Sequence, residues 1–72
     1  MAVPLDRFYE GRIGGRTRKG TVWEVPWTIL RRDRGVVVAE GVGRGETPRE
    51  AENEARRSIH LRKPTKPADW LG

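Results

Sequence analysis

The chain has 72 residues, of which 15 are Lys or Arg and 10 are Asp or Glu, so its formal net charge at pH 7 is +5. A chain of this length forms a single small domain with a thin stability margin. The absence of Cys excludes a disulfide framework and a Cys-based zinc or iron–sulfur site. No apolar run approaches ~18 residues. We therefore expect no membrane-spanning helix, no secretory signal and a cytoplasmic protein.

The N-terminal part of the chain divides into a predicted strand and a predicted loop. The segment PLDRFYEGRI is typical of a short strand that buries Leu5, Phe8, Tyr9 and Ile13. The next residues are rich in Gly and Arg and offer little to bury, so residues 14–20 are predicted to form a mobile loop.

Residues 21–32, TVWEVPWTILRR, alternate between apolar and polar side chains, which predicts a half-buried strand. Its apolar face consists of Trp23, Val25, Trp27 and Ile29. Pro26 lacks a backbone N–H, so we expect this strand to lie at a sheet edge or to carry a bulge.

A hairpin follows, in which the turn RDRG leads into a third strand, VVVAEGVG. Gly35 is free to take a positive φ in this turn. Strict alternation places Val36, Val38 and Val42 on one face and Val37, Ala39 and Gly41 on the other. The second face is small enough for a helix backbone to approach closely.

A helix is predicted after Thr47, whose hydroxyl can accept from the N–H of Glu50 while the Glu50 side chain reaches back to the N–H of Thr47. Pro48 suits the first helical position, where its missing N–H costs nothing. The narrow apolar stripe that should pack on the sheet consists of Ala51, Ala55 and Ile59. Pro64 ends the helix.

These elements predict an α+β domain over residues 1–63, with a three-stranded antiparallel sheet and one C-terminal helix packed on one face, in the order β-β-β-α. Residues 64–72 are predicted to form an extended C-terminal tail. Trp70 and Leu71 are unusual in such a tail. They either pack on the domain edge or stay disordered, or they form a docking motif for a partner.

The segment GVGRGETPREAENEARRSI resembles the last strand and helix of the double-stranded-RNA-binding domain. The residues that match are Gly41, Gly43, Thr47, Glu50, Ala51 and Ala55. The segment GETPREAENEARRSI is also similar to the end of HicB-type antitoxins, which use a partial version of the same sheet-and-helix fold. The resemblance covers about residues 27–61 and implies the fold more than an activity, because function lives in sites rather than in folds.

Three departures limit what this resemblance implies. The N-terminal helix that enters the RNA minor groove is not expected in residues 1–20. The Lys cluster at the start of the last helix is represented only by Arg49. The Pro-Asp-Leu-Pro-Gly loop usual in HicB-type domains is absent. The order of elements is also similar to that of the arm-binding domains of phage and transposon integrases, which read the major groove with a sheet.

No constellation of catalytic residues is evident. The one His, His60, has no orienting carboxylate at helical spacing and is interpreted as a solvated surface residue. The glycines of GVGRGE precede a helix, but the Lys-Ser/Thr of a phosphate-binding loop does not follow them. We expect no enzyme activity, no cofactor and no metal site.

The basic residues that could contact phosphates form three groups. The first group, in the predicted loop, is Arg16, Arg18 and Lys19. The second, around the hairpin turn, is Arg31, Arg32 and Arg34, and the third, on the helix, is Arg49, Arg56 and Lys63. A Gly/Arg loop beside a turn with three Arg would straddle a phosphate backbone without reading its sequence. Trp23 and Trp27 are either core residues or stacking platforms for bases.

Composition and charge together favour a small, basic, non-enzymatic nucleic-acid-binding protein with an accessory or regulatory role, of the kind that a phage or mobile element encodes. The alternative is a protein-interaction module, such as an inhibitor or an antitoxin-like adaptor. It would dock an acidic partner surface through the same Arg groups and through Trp70 and Leu71. The choice between DNA and RNA and the oligomeric state stay open.

Overall fold

The computed structural model describes residues 2–62, which form one five-stranded antiparallel sheet and one helix. The strands are β1 (Ala2–Pro4), β2 (Tyr9–Ile13), β3 (Thr17–Lys19), β4 (Val22–Arg31) and β5 (Val36–Gly45). The helix, α1, runs from Pro48 to Arg62 and packs on the sheet. The predicted α+β class and the single C-terminal helix are confirmed, whereas the predicted number of three strands is wrong.

Strand β4 is the centre of the sheet. One of its edges pairs with β2 along residues 27–31 and with β3 along residues 22–24, and its other edge pairs with β5. Strand β1 adds outside β2. Between β2 and β3 the Gly14 N–H donates to the Pro26 carbonyl at 2.9 Å. The two short strands therefore form one interrupted neighbour of β4.

The two additional strands have different origins. Strand β3 lies inside the predicted loop of residues 14–20 and pairs with the start of β4 although all three of its residues are exposed. Its backbone groups bond to β4, so the strand forms without burying side chains. Gly20, with φ of 62°, provides the turn into β4. Strand β1 places Val3 in the core and leaves Ala2 and Pro4 exposed.

Pro26 lies in the central strand, which corrects the expectation of an edge strand or a bulge at this residue. The register pairs Ile13 with Trp27 and Thr17 with Glu24, so Pro26 lies opposite the interruption between β2 and β3. Its missing N–H therefore falls where no strand residue needs a donor, while its carbonyl still accepts from Gly14.

A bulge in the β4–β5 hairpin corrects the predicted faces of β5. Ile29 pairs with Ala39, but Leu30 pairs with Val37, so Val38 is an extra residue. The shift moves Val37 to the face of Leu30, away from Ala39. The hairpin turn itself is as predicted, because Gly35 has φ of 64° and its N–H donates to the Arg31 carbonyl at 2.7 Å.

The core lies between α1 and one face of the sheet. Its buried residues are Val3, Tyr9, Ile13, Val25, Trp27, Ile29, Ala51, Ala55 and Ile59. The helix approaches the sheet at Gly43, where a Cβ would lie 2.5 Å from both the Ala51 carbonyl oxygen and the Ala55 nitrogen. The predicted stripe of Ala51, Ala55 and Ile59 is thus confirmed as the buried face of α1.

The start of α1 is capped as predicted, with one difference. The Glu50 N–H donates to Oγ1 of Thr47 at 3.1 Å, which confirms Thr47 as the N-cap. Oε2 of Glu50 accepts from the N–H of Glu46 at 3.0 Å, one residue before the predicted donor. The two bonds still form a reciprocal cap that satisfies donors at the helix entrance.

Candidate nucleic-acid interface

The structure separates the first two predicted groups of basic residues to opposite ends of β4. Arg18 pairs with Trp23 near the start of the strand, and the hairpin turn follows Arg31 at its end. At ~3.3 Å per residue these two points are about 26 Å apart. The prediction that the Gly/Arg loop lies beside the turn is therefore wrong, because it ignored the direction in which β3 pairs.

One end of the sheet collects four arginines, and we call it the arginine end: Arg7, Arg31, Arg32 and Arg34. The β1–β2 loop is fastened to the β4–β5 turn at this end. The Arg32 N–H donates to the Phe8 carbonyl at 2.8 Å, and Nη1 of Arg32 donates weakly to the Asp6 carbonyl at 3.4 Å. These bonds bring Arg7 to the turn, although the two segments are far apart in the chain.

The carboxylates at and beside the arginine end already have partners inside the protein. Oδ1 of Asp6 accepts from the N–H groups of Phe8 and Tyr9, each at 2.8 Å. Asp33 forms an ion pair with Nε of Arg31 at 2.8 Å. Glu10, which lines a pocket with Arg31 and Arg32, pairs with Arg12 at 2.8 Å. The end therefore carries more cationic groups than carboxylates, and these carboxylates are engaged locally.

The arginines of this end differ in how freely they can reach a ligand. The Arg31 side chain is only 16% exposed and is held by Asp33, so it serves the turn more than the surface. Arg7, Arg32 and Arg34 are exposed. The Arg7 guanidinium lies 5.2 Å from the centre of the Phe8 ring, within the range of a cation–π contact. Such a contact orients the side chain and leaves its N–H groups accessible.

Several cations at the opposite end of β4 are bonded within the protein. Arg18 donates from Nε to the Gly20 carbonyl at 2.9 Å, and Lys19 lies 3.4 Å from a Glu24 carboxylate oxygen. Glu24 also accepts from Nε of Arg44 at 2.9 Å. The hydrogen bond from Arg44 is the largest of the effects that hold the pKa of Glu24 below its ordinary value. Of the cations that were predicted to contact phosphate here, Lys19 is therefore ion-paired and Arg18 is bonded to a backbone carbonyl.

Arg16 and Arg49 meet at this same end, across a groove of about 490 Å³ between the β2–β3 connection and the start of α1. Glu52 lines the same groove and offsets part of their charge. Arg56 is half-buried on α1 and belongs to neither end. Lys63, Trp70 and Leu71 lie outside the described residues, as does the predicted tail of residues 64–72.

The two tryptophans of β4 lie in the core or against it. Trp27 is 4% exposed, which confirms its predicted burial and leaves no ring face for stacking a base. Trp23 is half-buried and packs against the core at the far end of β4. The interpretation as a core residue therefore holds for Trp27, and Trp23 is a residue of the core margin.

Arg7 is the residue of the interface that sequence reasoning missed. It lies between Leu5 and Phe8 in a short segment, and no periodic pattern marks it as a site residue. The signal that would have found it is the pairing of Tyr9 with Arg31, which places the residues before Tyr9 beside those after Arg31. This register joins segments that are distant in the sequence, so local sequence patterns cannot predict it.

Within residues 2–62 no group of His, Asp or Glu side chains is arranged to hold a metal ion. No helix in this described part of the chain is long and apolar enough to cross a membrane. Comparison of the chain with protein-family models, with curated proteins and with solved structures gave no match.

Proposed function

We propose that this protein is a small, non-enzymatic nucleic-acid-binding module that grips the phosphate backbone with its arginine end. The observation that carries the proposal is the convergence of Arg7, Arg32 and Arg34 at one end, where the neighbouring carboxylates of Asp6 and Asp33 are engaged in local bonds. An accessory or regulatory role, as in a phage or mobile element, is part of the same proposal.

The chemistry of the arginine end suits phosphate. A guanidinium offers planar, multiple N–H donors and keeps its charge at every physiological pH. Contacts of this kind neutralise phosphates and release condensed counterions, and they position a protein without specifying a sequence. Affinity should therefore be similar for different sequences and should fall steeply as salt rises.

The shape of this end also suits a nucleic-acid groove. Beyond the part of the sheet that α1 covers, the hairpin exposes Val36 and Val37 by 51% and 47%. Arg32 and Arg34 lie at its tip. A two-stranded antiparallel ribbon fits the major groove of B-form DNA, whereas the major groove of an RNA duplex is too deep and narrow. Duplex DNA is accordingly the first ligand to test.

The test is a binding titration of the full chain against duplex DNA, duplex RNA and single strands at several salt concentrations. The decisive variant carries Arg7→Gln, Arg32→Gln and Arg34→Gln together. If each side chain contacts one phosphate of a DNA duplex, the slope of log K against log salt should flatten by up to about 2.7, at ~0.9 per contact. Binding should weaken alike for all sequences.

A matched control carries Arg18→Gln, Arg57→Gln and Arg62→Gln, which remove the same charge from exposed positions away from the arginine end. It should lose much less affinity and slope than the arginine-end variant. Equal losses in the two variants would mean that net charge, and not this site, drives binding. Absence of binding to any nucleic acid at low salt would refute the proposal.

A protein-interaction module is the second candidate, and the open face of the sheet favours it. Helix α1 covers one face only, and the other exposes apolar side chains such as Val22 and Val42, at 37% and 41%. An acidic protein surface could meet the arginine end and this face together. That candidate predicts little nucleic-acid binding at physiological salt and stable capture of an acidic protein that the arginine-end variant fails to bind.

A further inference from the structure

The outer edge of β5 is a long strand edge with no partner among residues 2–62. Strand β5 has ten residues and pairs only with β4 in this part of the chain. Strand β1, at the opposite edge of the sheet, has three residues and ends at Pro4. Short length and proline protect an exposed edge, and β5 has neither, although it carries a bulge at Val38. Its backbone donors and acceptors can pair with another strand.

The hydrogen bonds of β4 show which residues of β5 point outward. The Pro26 carbonyl and the Arg32 N–H bond toward the β2 side, whereas the Arg31 carbonyl bonds toward β5. Odd-numbered residues of β4 therefore bond to β5, because bonding direction alternates along a strand. Their partners include Ala39, Gly41, Gly43 and Gly45. The residues of β5 between these, Glu40, Val42 and Arg44, direct their N–H and C=O groups to the free edge.

The bulge limits the part of this edge that can pair regularly. Val38 is the extra residue, so an uninterrupted run extends from Ala39 to Gly45. At the centre of this run is Val42, with an acidic residue two positions before it and a basic residue two positions after it. This arrangement is self-complementary for an antiparallel pair.

We propose that two copies of the chain associate edge to edge through β5, antiparallel about a two-fold axis at Val42, so that Glu40 of each copy lies opposite Arg44 of the other. Three backbone pairs would form, centred on the two Val42 residues, with about two hydrogen bonds each. The two sheets would then continue as one, and the surface is isologous.

Charge decides this register among the possible ones. Two-fold axes at Glu40 or Arg44 would place like charges directly opposite each other, which destabilises a strand pair. Axes at Gly41 or Gly43 would leave Glu40 without a basic residue opposite it. Only the axis at Val42 forms two Glu40–Arg44 pairs. Within each copy Lys19 and Arg44 already pair with Glu24. The added Glu40 of the other copy would extend this into a row of alternating charge.

The surface around the edge of β5 leaves room for the β5 strand of a second copy. A shallow groove of about 310 Å³ lies beside Arg44 along the helix, and its walls come from Glu50, Asn53, Glu54 and Arg57. On the open face Val42 pairs with Pro26 of β4, and both are exposed. The second Val42 would extend these two side chains into an apolar strip across the joined sheets. The strip would remove exposed valine surface from water.

Sedimentation equilibrium of the full chain over a wide concentration range tests the proposal, without nucleic acid. The mass should rise from the 8.2 kDa of one chain toward twice that value. Val42→Pro removes an outward N–H and no bond to β4, so it should abolish the dimer while the circular dichroism spectrum is kept. Glu40→Lys alone and Arg44→Glu alone should each weaken association about tenfold or more, because two attractive pairs become repulsive.

An equimolar mixture of the Glu40→Lys and Arg44→Glu chains gives the sharpest result. In that heterodimer both cross-strand pairs regain opposite charges, so association should recover although each chain alone is weak. Glu52→Lys, which changes the charge equally but lies on the groove at the far side of α1, should associate like the unmodified protein. A monomer at all concentrations, or a dimer that the mixture does not restore, would overturn the proposal. The mixture decides the question even if Val42→Pro fails to fold.

Discussion

The part of the sheet under α1 and the arginine end use opposite kinds of residue. Under the helix, glycines of the sheet pack against Ala51 and Ala55 of α1, both of which are fully buried. At the arginine end three of the four arginines, Arg7, Arg32 and Arg34, are exposed. Tight packing therefore restricts which residues fit under α1. At the arginine end the distinguishing feature is instead exposed positive charge.

The two regions also differ in how much a substitution should cost in stability. A close backbone contact tolerates almost no change in volume, because protein interiors are packed as densely as crystals. Exposed charges contribute little to folding, since surface ion pairs are worth about 0–1 kcal/mol. Substitutions under α1 should therefore lower the free energy of unfolding, whereas substitutions of the exposed arginines should leave it almost unchanged.

The largest test of the covered region is Trp27→Ala. The indole is 4% exposed and lies against Gly41, where a Cβ would come within 2.6 Å of the ring. Loss of the ring should lower the free energy of unfolding by about 3–5 kcal/mol, a large part of the stability of so small a domain. Urea unfolding followed by circular dichroism measures this. Trp23→Ala, at a half-buried position, is the control, and an equal loss there would contradict the assigned core.

A single added methyl group should produce the next largest effect. Gly43→Ala would place Cβ 2.5 Å from backbone atoms of Ala51 and Ala55, so the helix must move outward. We expect a loss of about 1–3 kcal/mol in the free energy of unfolding. Gly15→Ala is the matched control, because its Cβ meets no atom within 4 Å. It should change stability by at most about 0.5 kcal/mol.

The cap of α1 should contribute less than the packing. Thr47→Ala removes the acceptor for the Glu50 N–H and should cost about 0.5–2 kcal/mol. Thr47→Ser keeps the hydroxyl and should restore most of the loss, as thermal or urea unfolding would show. If both variants behaved alike, the hydroxyl would not be the stabilising group.

The features that were predicted correctly from sequence are those encoded within a few residues. Thr47 and Pro48 mark the helix start, Ala51, Ala55 and Ile59 mark its buried face, and Gly35 marks the hairpin turn. Each depends on local conformation or on the periodicity of one element. The packing of α1 on the sheet then follows, because its apolar stripe needs a surface to cover.

The features that were missed depend on pairing between distant segments. Strand β3 has only exposed residues, so no hydrophobic pattern reveals it. The bulge at Val38 reverses the faces of β5 by one residue, which alternation alone cannot detect. The same limit applies to the candidate site. Arg32 and Arg34 were predicted because they lie in the turn. Arg7 belongs to the candidate site only because backbone and side-chain bonds join the β1–β2 loop to that turn.

The smallest expected effect concerns the ion pairs of Glu24, at the end of β4 opposite the arginine end. The hydrogen bond from Arg44 lowers the pKa of Glu24, with Lys19 contributing to the same direction. A carboxyl whose pKa is lower in the folded state stabilises the fold above its unfolded pKa, and this contribution is lost as pH falls through the folded value.

Arg44→Gln should therefore raise the pKa of Glu24 toward the ordinary glutamate value of about 4.3. An NMR titration of the Glu24 carboxyl carbon measures the shift. Arg12→Gln, which removes a cation that pairs with Glu10, should leave the Glu24 titration unchanged. If the Arg44 variant also left it unchanged, the Arg44–Glu24 ion pair would not hold the Glu24 carboxylate in solution, and the contrast in local pairing between the two ends would be weaker.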